Sequence, residues 1–190
     1  MISRRDLLLG SALIAATQYS TTASAHHSRR YKNFKIERRY LPQTVRFSGH
    51  KPGTIVVDPR NHFLYLVLSP FRARRYGVGV GKAGLAFKGT ASIQRKAEWP
   101  SWRPTDNMIR REPKKYARYA KGVPGGPNNP LGARALYLYR GGRDTYYRIH
   151  GTNQPDTIGR SVSNGCIRMV NEHVIDLYQR VPLGTTVVVV

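Results

Sequence analysis

The chain contains a single cysteine, Cys166, in 190 residues. No disulfide can close within it, so any fold of this sequence has to stand on its buried apolar core. The N-terminal segment sharpens that restriction. Met1–Ala25 reads as a cleavable leader: Arg4-Arg5 precede an apolar run from Leu7 to Ala16, and Ala23-Ser24-Ala25 supplies the small residues of a cleavage site. The string Ser3-Arg4-Arg5-Asp6-Leu7-Leu8 fits twin-arginine export, with a plain secretory signal as the alternative. The run is too short to span a bilayer comfortably, and no cysteine follows the cleavage site to take a lipid. A mature chain beginning near His26 is therefore expected in the periplasm or cell envelope, with no stable membrane insertion. About 165 residues are enough for one domain with one core. An unpaired thiol in an oxidising compartment is a liability, which favours a function that needs it.

After the leader, residues 26–51 read as a basic arm or linker, mobile over 26–44, with a short strand at Thr44–Phe47 placed to join a sheet edge. From Thr54 the pattern turns to β. Thr54–Asp58 and His62–Leu68 flank a turn at Pro59-Arg60-Asn61 and predict a hairpin. Ala73–Val80 predicts a further strand, and Phe87–Trp99 two short strands around Gly89. Ala133–Tyr139 and Thr145–Gly151 predict a second hairpin across Arg140-Gly141-Gly142-Arg143-Asp144. Asn171–Val181 is the clearest helix, with Asn171 as its N-cap and Pro182 and Gly184 as its stop; Thr185–Val190 predicts a buried final strand. The fold class that results is mostly β with one or two short helices, a single mixed-sheet domain over residues 52–190. The spaced glycines of Gly77-Val78-Gly79-Val80-Gly81 end a strand without opening a helix, so they do not read as a dinucleotide loop.

Residues 99–132 depart from this rhythm. Pro100, Pro104, Pro113, Pro124, Pro127 and Pro130 interleave with Trp99, Trp102, Tyr116 and Tyr119. The prolines forbid a long strand, and Pro113 can open a short helix to Lys121. A long aromatic excursion of this kind in a compact domain reads as a lid or groove wall.

The formal net charge is +22, and removing the leader takes away two arginines and one aspartate. Such a charge would ordinarily raise nucleic acid as a partner, but export argues against it. Wall polymers, lipid headgroups and carboxylate-rich peptides are the polyanions an exported chain meets. The basic pairs (Arg29-Arg30, Arg38-Arg39, Arg74-Arg75, Arg110-Arg111, Lys114-Lys115) are scattered, as on a solvated surface. No metal site is expected: His26-His27 lack further ligands, and no other cluster has zinc or calcium spacing. No cofactor is expected either.

The chemistry-bearing stretch is His150 to Arg168. Cys166 follows Ser163-Asn164-Gly165, and His150-Gly151 lies sixteen residues upstream. A thiol is a useful nucleophile only as thiolate, and a nearby imidazole is the usual way to take its proton, so a depressed thiol pKa is expected here. Gly165 lets the backbone approach a substrate carbonyl with amide N–H groups facing a developing oxyanion. In an extended chain Arg168 shares a face with the thiol, and its guanidinium suits a substrate carboxylate. The alternative is a Cys166 that is merely a small packed hydrophobe.

The full string, His150-Gly151-Thr152, an intervening loop, then Ser163-x-Gly165-Cys166-Ile167-Arg168, resembles the signature of the L,D-transpeptidases, the YkuD-like domain of cysteine enzymes that remodel bacterial peptidoglycan. The resemblance extends to Pro52–Asp58 with Leu64-Tyr65-Leu66, to Gly77–Gly81 and to Val181–Thr185. It implies Cys166 as nucleophile, His150 as base, and Gly151 orienting the imidazole through its carbonyl. It also implies an oxyanion hole from the backbone N–H groups of Asn164, Gly165 and Cys166, with Arg168 and Ser163 in support. The implied reaction is acyl transfer on tetrapeptide stems, through a thioester with release of D-Ala, onto another stem (a 3-3 cross-link), an envelope protein's amine or water. Water as acceptor would make the protein an L,D-carboxypeptidase; a packed thiol would leave a non-catalytic basic wall-binding module. Asn164 replaces the family's commonest histidine, and its expected contribution is its backbone N–H alone.

Overall fold

The computed structural model describes residues 34–83, 85 and 87–190. The expected leader, its cleavage site and His26-His27 lie outside the described residues. In chain order the strands are β1 (Gln43–Arg46), β2 (Ile55–Asp58), β3 (Phe63–Ser69), β4 (Arg72–Gly77), β5 (Val80–Gly81), β6 (Gly89–Glu98), β7 (Arg134–Arg140), β8 (Arg143–His150), β9 (Ser161–Ser163), β10 (Ile167–Arg168) and β11 (Thr186–Val189). The helices are α1 (Asp106–Arg111), α2 (Pro113–Tyr116) and α3 (Asn171–Arg180). Nine strands form one mixed sheet in the order β1-β4-β3-β2-β11-β6-β7-β8-β10, while β5 and β9 pair separately. The mostly-β, mixed-sheet fold class read from the sequence is the one observed. No helix among the described residues is long and apolar enough to cross a membrane.

The β-branched runs occupy the middle of the sheet. Ile55-Val56-Val57 is wholly buried, and β11 lies parallel to β2 on one side and antiparallel to β6 on the other. β2, paired on both edges by β3 and β11 and covered on both faces, has no solvated side, hence its continuous apolar run. β11 instead alternates, with Val187 and Val189 buried and Thr186 exposed, so the final strand expected to be buried is buried mainly on one face. The β7–β8 hairpin turns on Gly141 (φ 55°) and Gly142 (φ 74°), the two positive-φ positions a tight two-residue hairpin requires. Helix α3 packs on β7 and β8, burying Val174 and Leu177. Its C-terminus is closed from the sheet: Lys96 Nζ donates to the carbonyls of Tyr178 and Val181, each at 2.7 Å, meeting the negative end of the helix with a cation. On the helix's flank Asp176 accepts from Arg74 Nε and Tyr76 Oη, both at 2.7 Å, and ties α3 to β4.

Several sequence expectations are corrected. The arm is not wholly a linker: Tyr40 is buried with Ile158 and Val170, and β1 runs along β4 at the sheet edge, so the packed fold begins ahead of residue 52. Gly77 explains part of this, since a Cβ there would lie 2.4 Å from Tyr40 Cβ. The strand expected over Ala73–Val80 stops at Gly77; Gly79 then pairs with Arg168, and β5 joins β9. The two short strands expected around Gly89 are one ten-residue strand, β6, held between β11 and β7 with a bulge between Ile93 and Arg95. Helix α1 was not foreseen, although Thr105 is a good cap: its hydroxyl accepts from Met108 N at 3.2 Å. Asn171 does not cap α3; it is the first helical residue and its side chain is used elsewhere.

Candidate active site

The sheet places the site at one edge. β10 pairs in parallel with β8 in the register Ile167↔Ile149 and Arg168↔His150. Continued back by two residues, that register sets Cys166 beside Arg148. Because side chains alternate along a strand, Cys166, Arg168, Arg148 and His150 share one face, with the thiol diagonal to the imidazole. Three residues, Asn164-Gly165-Cys166, connect β9 in the small sheet to β10 in the large one. The nucleophile candidate thus sits on a short bridge between two sheets instead of on a free loop.

His150 ends β8 and is 4% exposed. Its Nδ1 lies 2.5 Å from the Gly151 carbonyl. A carbonyl only accepts, so Nδ1 carries the proton and Nε2 keeps its lone pair. The segment after it is pinned: Met169 N donates to His150 O at 2.8 Å, and Gly151 N to Arg134 O at 3.0 Å. Asn171 Oδ1 accepts from both Ala133 N (3.0 Å) and Thr152 N (3.2 Å), joining the ends of β7 and β8. A Cβ on Gly151 would stand 2.2 Å from that same oxygen, so glycine is required beside the histidine. The sequence named Asn171 for a helix cap; its role as a clamp on the histidine segment depends on a contact thirty-eight residues away and has no local signal.

Cys166 is partly exposed, and its Sγ lies 3.9 Å from the Tyr146 carbonyl. The loop before it is braced by Ser163, whose hydroxyl donates to Cys166 O at 2.6 Å and accepts from Gly165 N at 3.1 Å. That second bond corrects the expected three-amide oxyanion hole: the Gly165 N–H is already taken. Gly165 itself has φ 119°, and a Cβ on it would meet Tyr147 Cε1 at 2.4 Å and Leu85 O at 2.5 Å. Glycine is required here by conformation and by space together.

Electrostatics correct a second expectation. Burial, reinforced by the charges of Arg168 and Arg148 against the Gly151 and Leu131 carbonyls, pushes the His150 pKa down to about 3. Burial also pushes the Cys166 thiol up, outweighing the Arg148 backbone N–H and the charges of Arg148 and Arg168. The resting pair is therefore neutral thiol and neutral imidazole, not the thiolate the sequence suggested, because desolvation outweighs the arginines at the thiol and acts together with them at the imidazole.

Arg168 carries a half-buried guanidinium whose recorded contacts are long and neutral, Gln154 Oε1 at 3.3 Å and Thr157 Oγ1 at 3.5 Å. Burial lowers its pKa, while the charge of Asp156 is among those that raise it. Among the described residues no carboxylate forms an ion pair with it. A guanidinium so placed on the face of the thiol can receive a carboxylate from a substrate. Asn164, expected to supply only its amide, instead uses its side chain: Oδ1 accepts from Arg111 Nη2 at 2.6 Å and Nδ2 donates to Tyr116 Oη at 2.7 Å. Among the described residues no group of three or more His, Cys, Asp or Glu is arranged to hold a metal ion.

Comparison with known proteins finds similarity over most of the chain. The model of the L,D-transpeptidase catalytic domain matches residues 52–189. The probable L,D-transpeptidase ErfK/SrfK of Escherichia coli K12 is 35% identical over 152 residues, covering 79% of this chain and 46% of the relative; the chain thus spans about half the length of that protein. A solved structure described as a probable carnitine operon oxidoreductase from Brucella melitensis is 60% identical, covering 82% of this chain and 96% of that one, with a TM-score of 0.57. L,D-transpeptidase 3 from Mycobacterium tuberculosis shares the fold at 14% identity and a TM-score of 0.53, over 78% of this chain and 61% of that one. The redox label on the Brucella protein finds no echo in the glycine-rich string here, which passes from β4 into β5 and opens no helix.

Proposed function

Because the chain belongs to the L,D-transpeptidase catalytic-domain family, we propose that it is an exported cysteine acyltransferase acting on the tetrapeptide stems of peptidoglycan. The observation that carries this reading is the placement of Cys166 and His150 on one face of two paired strands, with the Gly151 carbonyl holding Nδ1 as the protonated nitrogen. Cys166 Sγ attacks the carbonyl of the third stem residue as its proton passes to His150 Nε2. The backbone N–H groups of Cys166 and Asn164 receive the developing oxyanion. The C–N bond to the terminal D-Ala breaks, and the imidazolium returns the proton to the leaving amine. An acceptor amine then attacks the thioester, giving its proton through His150 and releasing the free thiol. Arg168 holds a stem carboxylate during both steps, and Ser163 keeps the loop in shape.

Export and a place in the periplasm or envelope are part of the same proposal, supported by the leader-like Met1–Ala25 and by a net charge suited to an anionic wall. Residues 99–132 act as a lid or groove wall of the catalytic domain. The acceptor is a second stem, giving a 3-3 cross-link, or the amine of an envelope protein.

Incubation of the purified mature chain with disaccharide-tetrapeptide, read by mass spectrometry, tests the reading. A cross-linked dimer with loss of D-Ala is expected. Tripeptide alone would make the protein an L,D-carboxypeptidase, and unchanged substrate with an unmodified Cys166 would remove the enzyme reading altogether.

A further inference from the structure

The 99–132 excursion is an ordered body in its own right. Trp102 and Val123 exchange backbone hydrogen bonds at 2.9 and 2.7 Å, and the Trp102 ring packs on Tyr116 and Tyr119 with centroids 6.4 and 5.7 Å apart. Asn129 closes its base, donating to the carbonyls of Val123 (3.0 Å) and Pro124 (2.9 Å). Among the described residues, the hydrogen bonds shown between α1 or α2 and residues outside 99–132 both end on Asn164. One comes from Arg111, the last residue of α1, and the other involves Tyr116, the last residue of α2 and a buried one. The chemistry fixes which end of the amide faces which partner. A guanidinium has only donors, so it must meet Oδ1, which leaves Nδ2 to donate to the phenol oxygen.

We propose that the Asn164 side chain is the latch of the lid: two residues ahead of the nucleophile, it clasps Arg111 and Tyr116 and so sets how the excursion stands over Cys166, which makes it a substrate-positioning residue. The proposal rests on the acyltransferase reading for its substrate but not for its mechanics. Asn164 acts through the lid and not on the reacting atoms. Its backbone N–H and its side chain therefore serve different purposes: the N–H is left for the oxyanion, and the side chain bonds the lid. A residue that keeps the N–H but loses the amide leaves the oxyanion donor intact and frees the groove wall. Donor stems then bind to a groove whose wall has to be ordered at each encounter, which weakens binding more than it slows the bond-making step.

The test compares Asn164→Leu, close to asparagine in shape but without polar atoms, with Asn164→Asp. A carboxylate still accepts from Arg111 and can accept the Tyr116 O–H, so the aspartate variant keeps the latch with one donor reversed. Two readouts are taken on the full mature chain: amide hydrogen exchange across residues 106–123, and steady-state release of D-Ala from disaccharide-tetrapeptide. For Asn164→Leu, exchange in the segment should accelerate by roughly 30-fold, the scale set by two lost hydrogen bonds, one of them charge-assisted. KM for the donor should rise about tenfold with kcat within about threefold, the signature of lost binding. Asn164→Asp should restore exchange to within about threefold of the parent. Tyr116→Phe should shift KM in the same direction and add little in the Asn164→Leu background, because both remove the same contact.

Unchanged exchange in Asn164→Leu would overturn the latch. Faster exchange with an unchanged KM and a fallen kcat would place the side chain in the chemistry and overturn the positioning role. Full additivity with Tyr116→Phe would also overturn it. Should no donor acylate Cys166, the acyltransferase reading fails and substrate positioning with it, while the exchange measurement still decides whether Asn164 holds the lid.

Discussion

His150 offers a measurement in which an ordinary histidine and this one differ widely. An imidazole titrating near its usual 6.5 is only about 3% neutral at pH 5, whereas one held at about 3 is about 99% neutral. If the neutral ring is the base, acylation of Cys166 should stay flat from pH 7 down to about 4.5, where an unperturbed base would have lost some 30-fold or more. Stability should move instead. The unfolded chain takes up the His150 proton below about 6.5, and the folded chain only near 3, so the unfolded state binds more protons throughout that window. The contribution is present in full above 6.5 and drains away as pH falls, at up to about 1.4 kcal/mol per unit and on the order of 4 kcal/mol across the window. His150→Gln removes the group, so between pH 6.5 and 4 it should lose clearly less stability than the parent. The assay is stopped-flow acylation by a carbapenem at each pH, with thermal melts of both proteins in the same buffers. An acid limb in the acylation rate with its midpoint near 6.5, on protein shown to be folded, would refute the argument. So would equal acid destabilisation of the parent and His150→Gln.

Three further outcomes follow from the geometry. Simple alkylation of Cys166 by iodoacetamide, which needs thiolate, should be slow at pH 7 and climb about tenfold per unit to a midpoint above the ordinary thiol range, since burial holds the thiol up; a midpoint below 7 would restore the thiolate picture. Gly165→Ala should add about 1–3 kcal/mol of backbone strain, force the loop off Tyr147 and slow carbapenem acylation, whereas Gly141→Ala, also at positive φ but with open space around it, should leave acylation unchanged. Asn171→Ala strands two backbone N–H groups and should cost about 1–3 kcal/mol in thermal or urea unfolding, with Asn171→Asp, which keeps an acceptor oxygen, close to the parent.

What the sequence disclosed was governed by how local each signal is. The β2–β3 hairpin, the Gly141-Gly142 turn and helix α3 rest on runs and turn residues within a dozen positions, and all three are where they were expected. The His150 and Cys166 strings were equally legible, because glycine on the neighbouring position marks both. What could not be read were consequences of contact between distant parts. The continuity of β6 comes from its two neighbours, β11 and β7, and the ordering of the arm from Tyr40 packing on Ile158 and Val170. Asn171 and Asn164 were each given a local duty, a cap and an amide, yet their side chains bond Ala133 and Tyr116 respectively. The sign of the Cys166 shift escapes a one-dimensional reading for the same reason: it counts the neighbouring imidazole and amides that favour thiolate and cannot weigh the burial that opposes them.

The position of β11 has a kinetic side. Val187 pairs with Ile55 and also with Ala91, so the strand at residues 186–189 sutures a meander built from residues 43–77 to a second unit built from β6, β7, β8 and β10. Until that strand arrives, each unit presents an unpaired, valine- or alanine-bearing edge, a template for pairing with another chain. Closure across some 130 residues is a contact of high sequence separation, which slows folding because loop entropy is lost before the new pairings compensate. Folding is then gated by the last strand to be synthesised of those in the sheet, and removal of residues 186–190 should yield two sticky half-sheets that aggregate instead of a shorter working domain.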